Sequence, residues 1–171
     1  MISKKNLVLL GMMGVGKTTL GKIVAKKQGF KFVDIDLNIE KNNAMKISDI
    51  FKKKGEKFFR AKEEDEVLKS MEKNKCVIAL GGGAFINKTI RGIILKNAIS
   101  IWLDTNLKTI NKRVKWNNKR PLLAGEDKSA IISNLYTERK NIYKLADHRI
   151  NCDSLSKLSI VKKIITIYES Q

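Results

Sequence analysis

Gly11-Met12-Met13-Gly14-Val15-Gly16-Lys17-Thr18 sets a glycine, four residues, and then Gly-Lys-Thr, a spacing that suits the wrapping of a triphosphate. Glycines let the backbone fold around the anion so that successive amides point at its oxygens. A helix starting near Gly16 adds its positive dipole end. From there Lys17 can reach the β- and γ-phosphates, and the Thr18 hydroxyl can ligate Mg2+. The context agrees. Asn6–Leu10 is a short apolar run ending at Gly11, and from Lys17 to about Gln28 the residues Leu20, Ile23 and Val24 recur at helical spacing. Strand, glycine-rich turn and amphipathic helix in that order mark a P-loop NTP-binding domain. A large GTPase, an AAA-type motor or a helicase would be longer than 171 residues. One P-loop close to the start of such a chain suits a kinase of a small molecule or a nucleotide.

Three further groups could face an acceptor. In a P-loop sheet the ligand crevice lies beyond the carboxyl ends of the strands. Asp34 and Asp36 end the second apolar run, and Gly81-Gly82-Gly83 follows the third. Both therefore belong on the rim that carries the P-loop. An Asp-x-Asp pair can equally cap a strand-to-helix turn. A triple glycine can be a plain turn, although it also permits close backbone approach to a ligand. Arg60 is the one arginine in Phe59-Arg60-Ala61-Lys62-Glu63, and a solvated arginine paired along its own helix is the alternative there.

The elements that must hold these groups alternate between apolar runs and helical patterns, the mark of a parallel α/β sheet. Strands are expected at Asn6–Leu10, at Phe32-Val33 ending in Asp34-Ile35-Asp36, at Cys76–Leu80, at Ile99–Leu103 and around Arg149–Asn151. Helices are expected from about Ser48 to Asn74, interrupted near Gly55, and over Asn106–Val114, Lys128–Ala146 and Leu155–Tyr168. Ser48 is a candidate N-cap. Lys115–Asp127 breaks the pattern: it holds Trp116, Lys119, Arg120, the chain's one proline (Pro121) and Gly125, and reads as a mobile surface loop. The expected architecture is a single domain over 1–171, a five-stranded parallel sheet flanked by helices with a mobile lid. No repeat or low-complexity tract divides it. Trp102 reads as core packing, and His148, at a helix-to-strand junction without a partner motif, as structural or solvent-facing.

Bulk properties narrow the partners. The formal charge is +18, from 35 Lys and Arg against 17 Asp and Glu. A basic surface can serve nucleic acid or a membrane. Here lysine is spread along the whole chain, and aromatics are only 6% and do not interleave with it, so no stacking platform for bases is supported. The expectation is no specific nucleic-acid partner, with the surplus charge drawing anionic metabolites. No stretch approaches the roughly 20 apolar residues that cross a bilayer. The start of the chain has no signal-peptide pattern. Cys76 and Cys152, each expected in a short strand, form no metal or redox spacing. A cytoplasmic protein fits, and a monomer is the default because no long exposed apolar stripe stands out.

Taken together the residues resemble the shikimate kinase family over nearly the whole chain. The resemblance runs through Gly11–Lys17 with Thr18-Thr19-Leu20-Gly21-Lys22, Phe32–Asp36 with Ile39-Glu40, Ile50-Phe51, Gly55-Glu56, and Phe59-Arg60 with Glu63-Glu64. It continues through Gly81-Gly82-Gly83, Lys119-Arg120-Pro121-Leu122-Leu123 and Glu138-Arg139 with Tyr143, in matching order and spacing.

This resemblance implies transfer of the ATP γ-phosphoryl group to the 3-hydroxyl of shikimate, on the route to chorismate, with Mg2+. It implies a helical acceptor region over about 35–62 and a lid over about 115–127. Arg60 and Arg139 look like the clamp on the shikimate carboxylate, and Asp36 like the acid that holds the reacting hydroxyl. Gly81, Gly82 and Gly83 would offer backbone donors to the ring hydroxyls. Asp34 resembles the magnesium partner of Thr18, and Arg120 the lid arginine that acts with Lys17 on the phosphates. ATP would lie on Gly11, Gly14, Val15, Gly16, Lys17, Thr18 and Thr19, walled by Arg113, Arg120 and Pro121. One departure is Lys-Thr at the end of the P-loop where many members have Lys-Ser, and no residue near Asn151–Ser156 is identified as an adenine contact. The rivals are a gluconate-type or nucleoside monophosphate kinase and, from another class, an idle ATP- or nucleic-acid-binding module.

Overall fold

The computed structural model describes residues 6–114 and 127–171. The central strands are apolar runs with no polar face. β1 (Asn6–Leu10) and β4 (Ala98–Asp104) are buried along their whole length, and so is β3 (Cys76–Ala79). Strands buried on both faces belong in a parallel sheet covered by helices. That is the arrangement here. With β2 (Lys31–Asp34) and β5 (His148–Asn151), all five strands pair in parallel in the order β2-β3-β1-β4-β5. β1 sits at the centre with Leu9 opposite Ala79 on one side and Ile101 on the other. From β1 the chain runs to β2 at one edge, returns to β3, and then crosses to β4 on the other side of β1. The carboxyl end of β1 is thus a switch point, where a crevice opens.

Among the described residues seven α-helices cover the sheet. α1 (Lys17–Gln28) lies between two left-handed glycines, Gly16 at φ 100° and Gly29 at φ 65°. α2 (Ile35–Asn43) and α3 (Ile47–Met71) follow β2, α4 (Lys88–Asn97) precedes β4, and α5 (Leu107–Val114), α6 (Lys128–Tyr143) and α7 (Lys157–Glu169) complete the set. α3 breaks at Gly55, whose φ of 81° and ψ of 167° are not helical, as its sequence anticipates.

Several expectations need correction. α4 (Lys88–Asn97) is not among the expected helices, and α2 falls within the helical acceptor region that the resemblance implies, although the residue pattern alone runs β2 on to Asp36. α2 begins directly after β2 because the Asp34 carboxylate accepts from the Leu37 amide at 3.2 Å and caps it, so Asp36 stands on the first turn of a helix rather than at a strand end. α4 is capped in the same way by Asn87, whose side chain accepts from Thr89 and Ile90. Ser48 is not an N-cap. Helix α3 starts one residue earlier, and the amide of Ile47 is satisfied instead by the Glu40 carboxylate at 3.1 Å. Cys152 lies one residue beyond β5; both cysteines are buried and free.

Trp102 packs in the core at 2% exposure beneath the Arg149 guanidinium. Of the expected lid, 115–126 lies outside the described residues, taking Arg120 and Pro121 with it. Asp127 is described, and caps α6 by accepting from Ala130 at 3.0 Å. Among the described residues no helix is long and apolar enough to cross a membrane.

Candidate active site

The P-loop follows β1 at the switch point. Gly11, Gly14 and Gly16 have φ of 135°, 77° and 100°, values that a side chain disfavours. Gly11 is also pressed against β4, where a Cβ would stand 2.5 Å from the Leu103 carbonyl oxygen. Lys17 folds back over this loop, and its Nζ donates to the carbonyls of Gly11 at 2.8 Å and Met12 at 2.9 Å. Thr18 Oγ1 donates to Asp34 Oδ2 at 2.6 Å. A hydroxyl beside a carboxylate is a pair of hard oxygen donors, the kind that suits Mg2+.

A cleft of about 460 Å³ opens here, lined by Gly14, Gly16, Lys17, Thr18, Thr19, Asp34, Asp36, Leu37, Leu80, Gly82 and Arg113. Residues from the P-loop, the Asp-x-Asp segment, the triple glycine and α5 thus share one wall. Arg113 closes it on one side, with Nη1 donating to the Gly14 carbonyl at 3.2 Å. Beyond Arg113 a second cavity of about 270 Å³ is lined by Val15, Thr19, Leu20, Cys152, Leu155, Lys157 and Ile160 among others. Burial pushes the Cys152 thiol up to about 11.

On the other side of the triple glycine a charged cluster gathers. Arg60 donates to Glu63 at 2.8 Å and to Glu56 at 3.1 Å. Glu63 is only 1% exposed and Arg139 only 7%. A Cβ on Gly83 would stand 2.7 Å from Arg60 Nη1, and one on Gly82 3.3 Å from Arg139 Nη1. On Gly81 it would stand 2.7 Å from both Asp36 Oδ1 and Glu63 Oε1. The three glycines therefore let two guanidinium groups and two carboxylates converge on one stretch of backbone.

The phenol of Tyr143 donates to the Gly82 carbonyl from below. Burial pushes that phenol up to about 12, so it remains a donor. Burial also raises the Glu63 carboxyl above its ordinary range, against the pull of Arg60. Burial of Arg60 works against its charge, yet the carboxylates of Glu63 and Glu56 outweigh it and its pKa is raised.

The shikimate kinase family model matches residues 13–169. The chain belongs to the shikimate kinase family. It is accordingly an ATP-dependent phosphotransferase of that family. It is 43% identical to the shikimate kinase of Sulfurihydrogenibium sp. over 95% of this chain and 96% of that one. The shikimate kinase of Persephonella marina is 41% identical, over 94% of this chain and 97% of that one. Among solved structures, the shikimate kinase from Acinetobacter baumannii in complex with shikimate superposes with a TM-score of 0.93 at 29% identity, covering 99% of this chain and 95% of that one.

Set against the family reading of the sequence, the fold gathers Gly11, Gly14, Val15, Gly16, Lys17, Thr18, Thr19, Asp34, Asp36 and Arg113 at the crevice. Arg60, Gly81, Gly82, Gly83 and Arg139 stand around the charged cluster beside it. Glu63, Tyr143 and the lining of the second cavity at Cys152, Leu155 and Lys157 were not singled out as site residues. Glu63 had a signal. It falls on the stripe Phe59, Glu63, Glu66, Val67, Ser70 that helical spacing buries, where a carboxylate is out of place unless it has a partner.

Proposed function

We propose that this chain transfers the γ-phosphoryl group of ATP to the 3-hydroxyl of shikimate, giving shikimate 3-phosphate and ADP. The observation that carries it is the convergence of Asp36, Arg60 and Arg139 on the glycine turn beside the Lys17–Thr18–Asp34 group. Two guanidinium groups with a carboxylate close by suit an acceptor that is itself a hydroxylated carboxylate. A nucleotide acceptor would call for a surface to stack a base.

In this reading Arg60 and Arg139 hold the substrate carboxylate, and guanidinium geometry allows each a two-pronged contact. Glu63 and Glu56 hold Arg60 in place from behind. Asp36 accepts the hydrogen bond of the reacting hydroxyl, which turns an oxygen lone pair towards the γ-phosphorus and gives the proton somewhere to go. The new O–P bond forms as the bond from the γ-phosphorus to the bridging oxygen breaks, and ADP leaves.

Lys17 swings from the Gly11 and Met12 carbonyls to the phosphate oxygens, and Arg120 would join it. Positioning and charge stabilisation supply most of the rate in such a transfer. Thr18 and Asp34 would hold Mg2+, which would supply positive charge to offset that of the triphosphate. Gly81, Gly82 and Gly83 present backbone to the ring hydroxyls, and the cavity between Arg113 and Cys152 takes the nucleoside. The proposal extends to a cytoplasmic monomer on the route to chorismate, with no nucleic-acid or membrane partner. A lid over 115–127 would close on the phosphates and exclude water.

The test is ADP release with Mg2+ and ATP, comparing shikimate, gluconate and AMP on the wild type and Asp36→Asn. Shikimate-dependent release that falls at least about a hundredfold in the variant is the expected result. Turnover driven by gluconate or AMP and not by shikimate would overturn the substrate and leave the kinase class standing.

A further inference from the structure

Glu66 occupies a position that helical spacing reserves for an apolar side chain. It lies on the buried stripe of α3 beside Val67 and is 6% exposed. A carboxylate there needs partners to offset its lost hydration. No lysine or arginine pairs with it among the described residues, although the chain is dominated by lysine. Its two oxygens are taken instead by neutral amides. Asn38 Nδ2 donates to Oε1 at 2.7 Å, and Asn42 Nδ2 donates to Oε2 at 3.2 Å.

Both donors come from α2, four residues apart and hence on one face of that helix. A second tie joins the same helices at their near ends, where Glu40 of α2 receives the Ile47 amide and Lys46 Nζ. α2 is a helix of only nine residues, too short to hold its place by backbone bonding alone. Its buried Ile35 and Ile39 seat it on the core, and the polar ties to α3 set its register there, two of them from Glu66 alone.

The consequence lies in what the two helices carry. Asp36 is on the first turn of α2, two residues before Asn38. Arg60 is on α3, six residues before Glu66. The acidic and basic halves of the acceptor site are thus on separate helices, and the separation of those helices sets the distance between them. We propose that Glu66 is a positioning residue for the acceptor site: through Asn38 and Asn42 it fixes α2 against α3 and so fixes Asp36 relative to Arg60. The proposal rests on the acceptor site described above, but the tie itself can be read without any substrate.

Glu66→Leu removes both acceptors and keeps the position apolar, which relieves the buried charge and need not lower stability. Expected is a rise of about tenfold in KM for shikimate, the order of one lost hydrogen bond to a charged group. KM for ATP should not move, and the amides of α2 should exchange with solvent faster. Glu66→Gln, which keeps one acceptor, should fall between. Should Glu66→Leu fail to fold, Asn38→Ala with Asn42→Ala cuts the same contact from the α2 side with the same expected readouts.

Unchanged KM for shikimate overturns the proposal, whether α2 exchanges faster or not. So does a rise in both KM values together, which would mark a general loosening. A wild type without shikimate-dependent ADP release would sink the acceptor assignment; the α2 exchange rates would still decide whether Glu66 holds the helix.

Discussion

The Thr18 hydroxyl donates to the Asp34 carboxylate across 2.6 Å and joins the first turn of α1 to the end of β2. The other oxygen of Asp34 accepts from the Leu37 amide at 3.2 Å. One side chain therefore contributes to a hard-oxygen pair at the P-loop end of the cleft and starts the helix that bears Asp36. The two duties separate by substitution. Asp34→Asn keeps an oxygen for the cap but removes the charge, and should raise the Mg2+ concentration for half-maximal rate about tenfold or more with little change in Tm. Asp34→Ala loses the cap as well, and should cost about 1 kcal/mol of stability besides. Mg2+ titrations of ADP release alongside thermal melts separate the two. Equal Mg2+ dependence in wild type and Asp34→Asn would remove Asp34 from the metal site.

Glycines of similar appearance should fail in different ways. A Cβ at Gly11 meets the Leu103 backbone carbonyl at 2.5 Å, with φ at 135°. Neither the backbone of β4 nor the loop can yield, so Gly11→Ala should lower stability by about 2 kcal/mol or more. At Gly83 the Cβ meets only the tip of Arg60, at 2.7 Å, and φ of −100° suits any residue. Arg60 can swing aside at small cost to the fold. Gly83→Ala should therefore melt near the wild-type temperature while KM for shikimate rises at least about tenfold, as a displaced guanidinium loses a charged hydrogen bond. A Gly83→Ala enzyme with unaltered KM would mean that the Arg60 position seen here is not the one that binds substrate.

Glu63 should leave a mark on the pH dependence of stability. Burial raises its carboxyl above the ordinary value of 4.5, more than Arg60 beside it can lower it. The native state thus holds this proton more tightly than the unfolded chain. The sign follows: its contribution is fully present below about pH 4.5 and is lost as pH rises through the raised native value. Urea midpoints from pH 4 to 8 should fall for the wild type relative to Glu63→Gln, whose side chain stays neutral. Parallel curves would show that the proton is not held.

How far the sequence could be followed depended on the kind of constraint. The P-loop was legible because wrapping a triphosphate needs glycines and a lysine at fixed spacing, and the buried apolar runs of β1, β3 and β4 admit only a parallel sheet between helices. α2 is legible as a helix through the resemblance alone and not from its own residues. Its polar Ile-Asp-Leu-Asn-Ile-Glu-Lys-Asn-Asn segment follows β2 with no break residue, and its start depends on an Asp34 cap that also serves Thr18. Helix α4 was missed for a related reason, since Asn87 caps it at the end of a glycine-rich turn rather than after a loop. Asp36 and Arg60 stand out from their own segments as groups that could face an acceptor, whereas Arg139 and the clamp come from the resemblance: the three lie on α2, α3 and α6, and only the fold brings them together. Glu63 and Glu66 were visible in principle, as acids on a buried stripe, but their partners come from other turns and helices. Nothing in the spacing near Asn151–Ser156 pointed to the second cavity, because its lining combines the P-loop, α5 and the segment after β5.

That second cavity separates the two substrates experimentally. Arg113 lines both this cavity and the cleft over the P-loop, bound to the Gly14 carbonyl at 3.2 Å. Arg113→Ala removes a cation and a wall from the side proposed for the nucleoside. KM for ATP should rise about fivefold to tenfold, in line with the loss of one partly exposed charged contact, and KM for shikimate should stay within about twofold. Cys152 gives an independent reading of the same space. Its thiol is buried and pushed up to about 11, so alkylation near neutral pH should be slow, and saturating ATP should slow it further. Protection by shikimate instead of ATP would place the nucleoside elsewhere and reverse the two sides of the cleft.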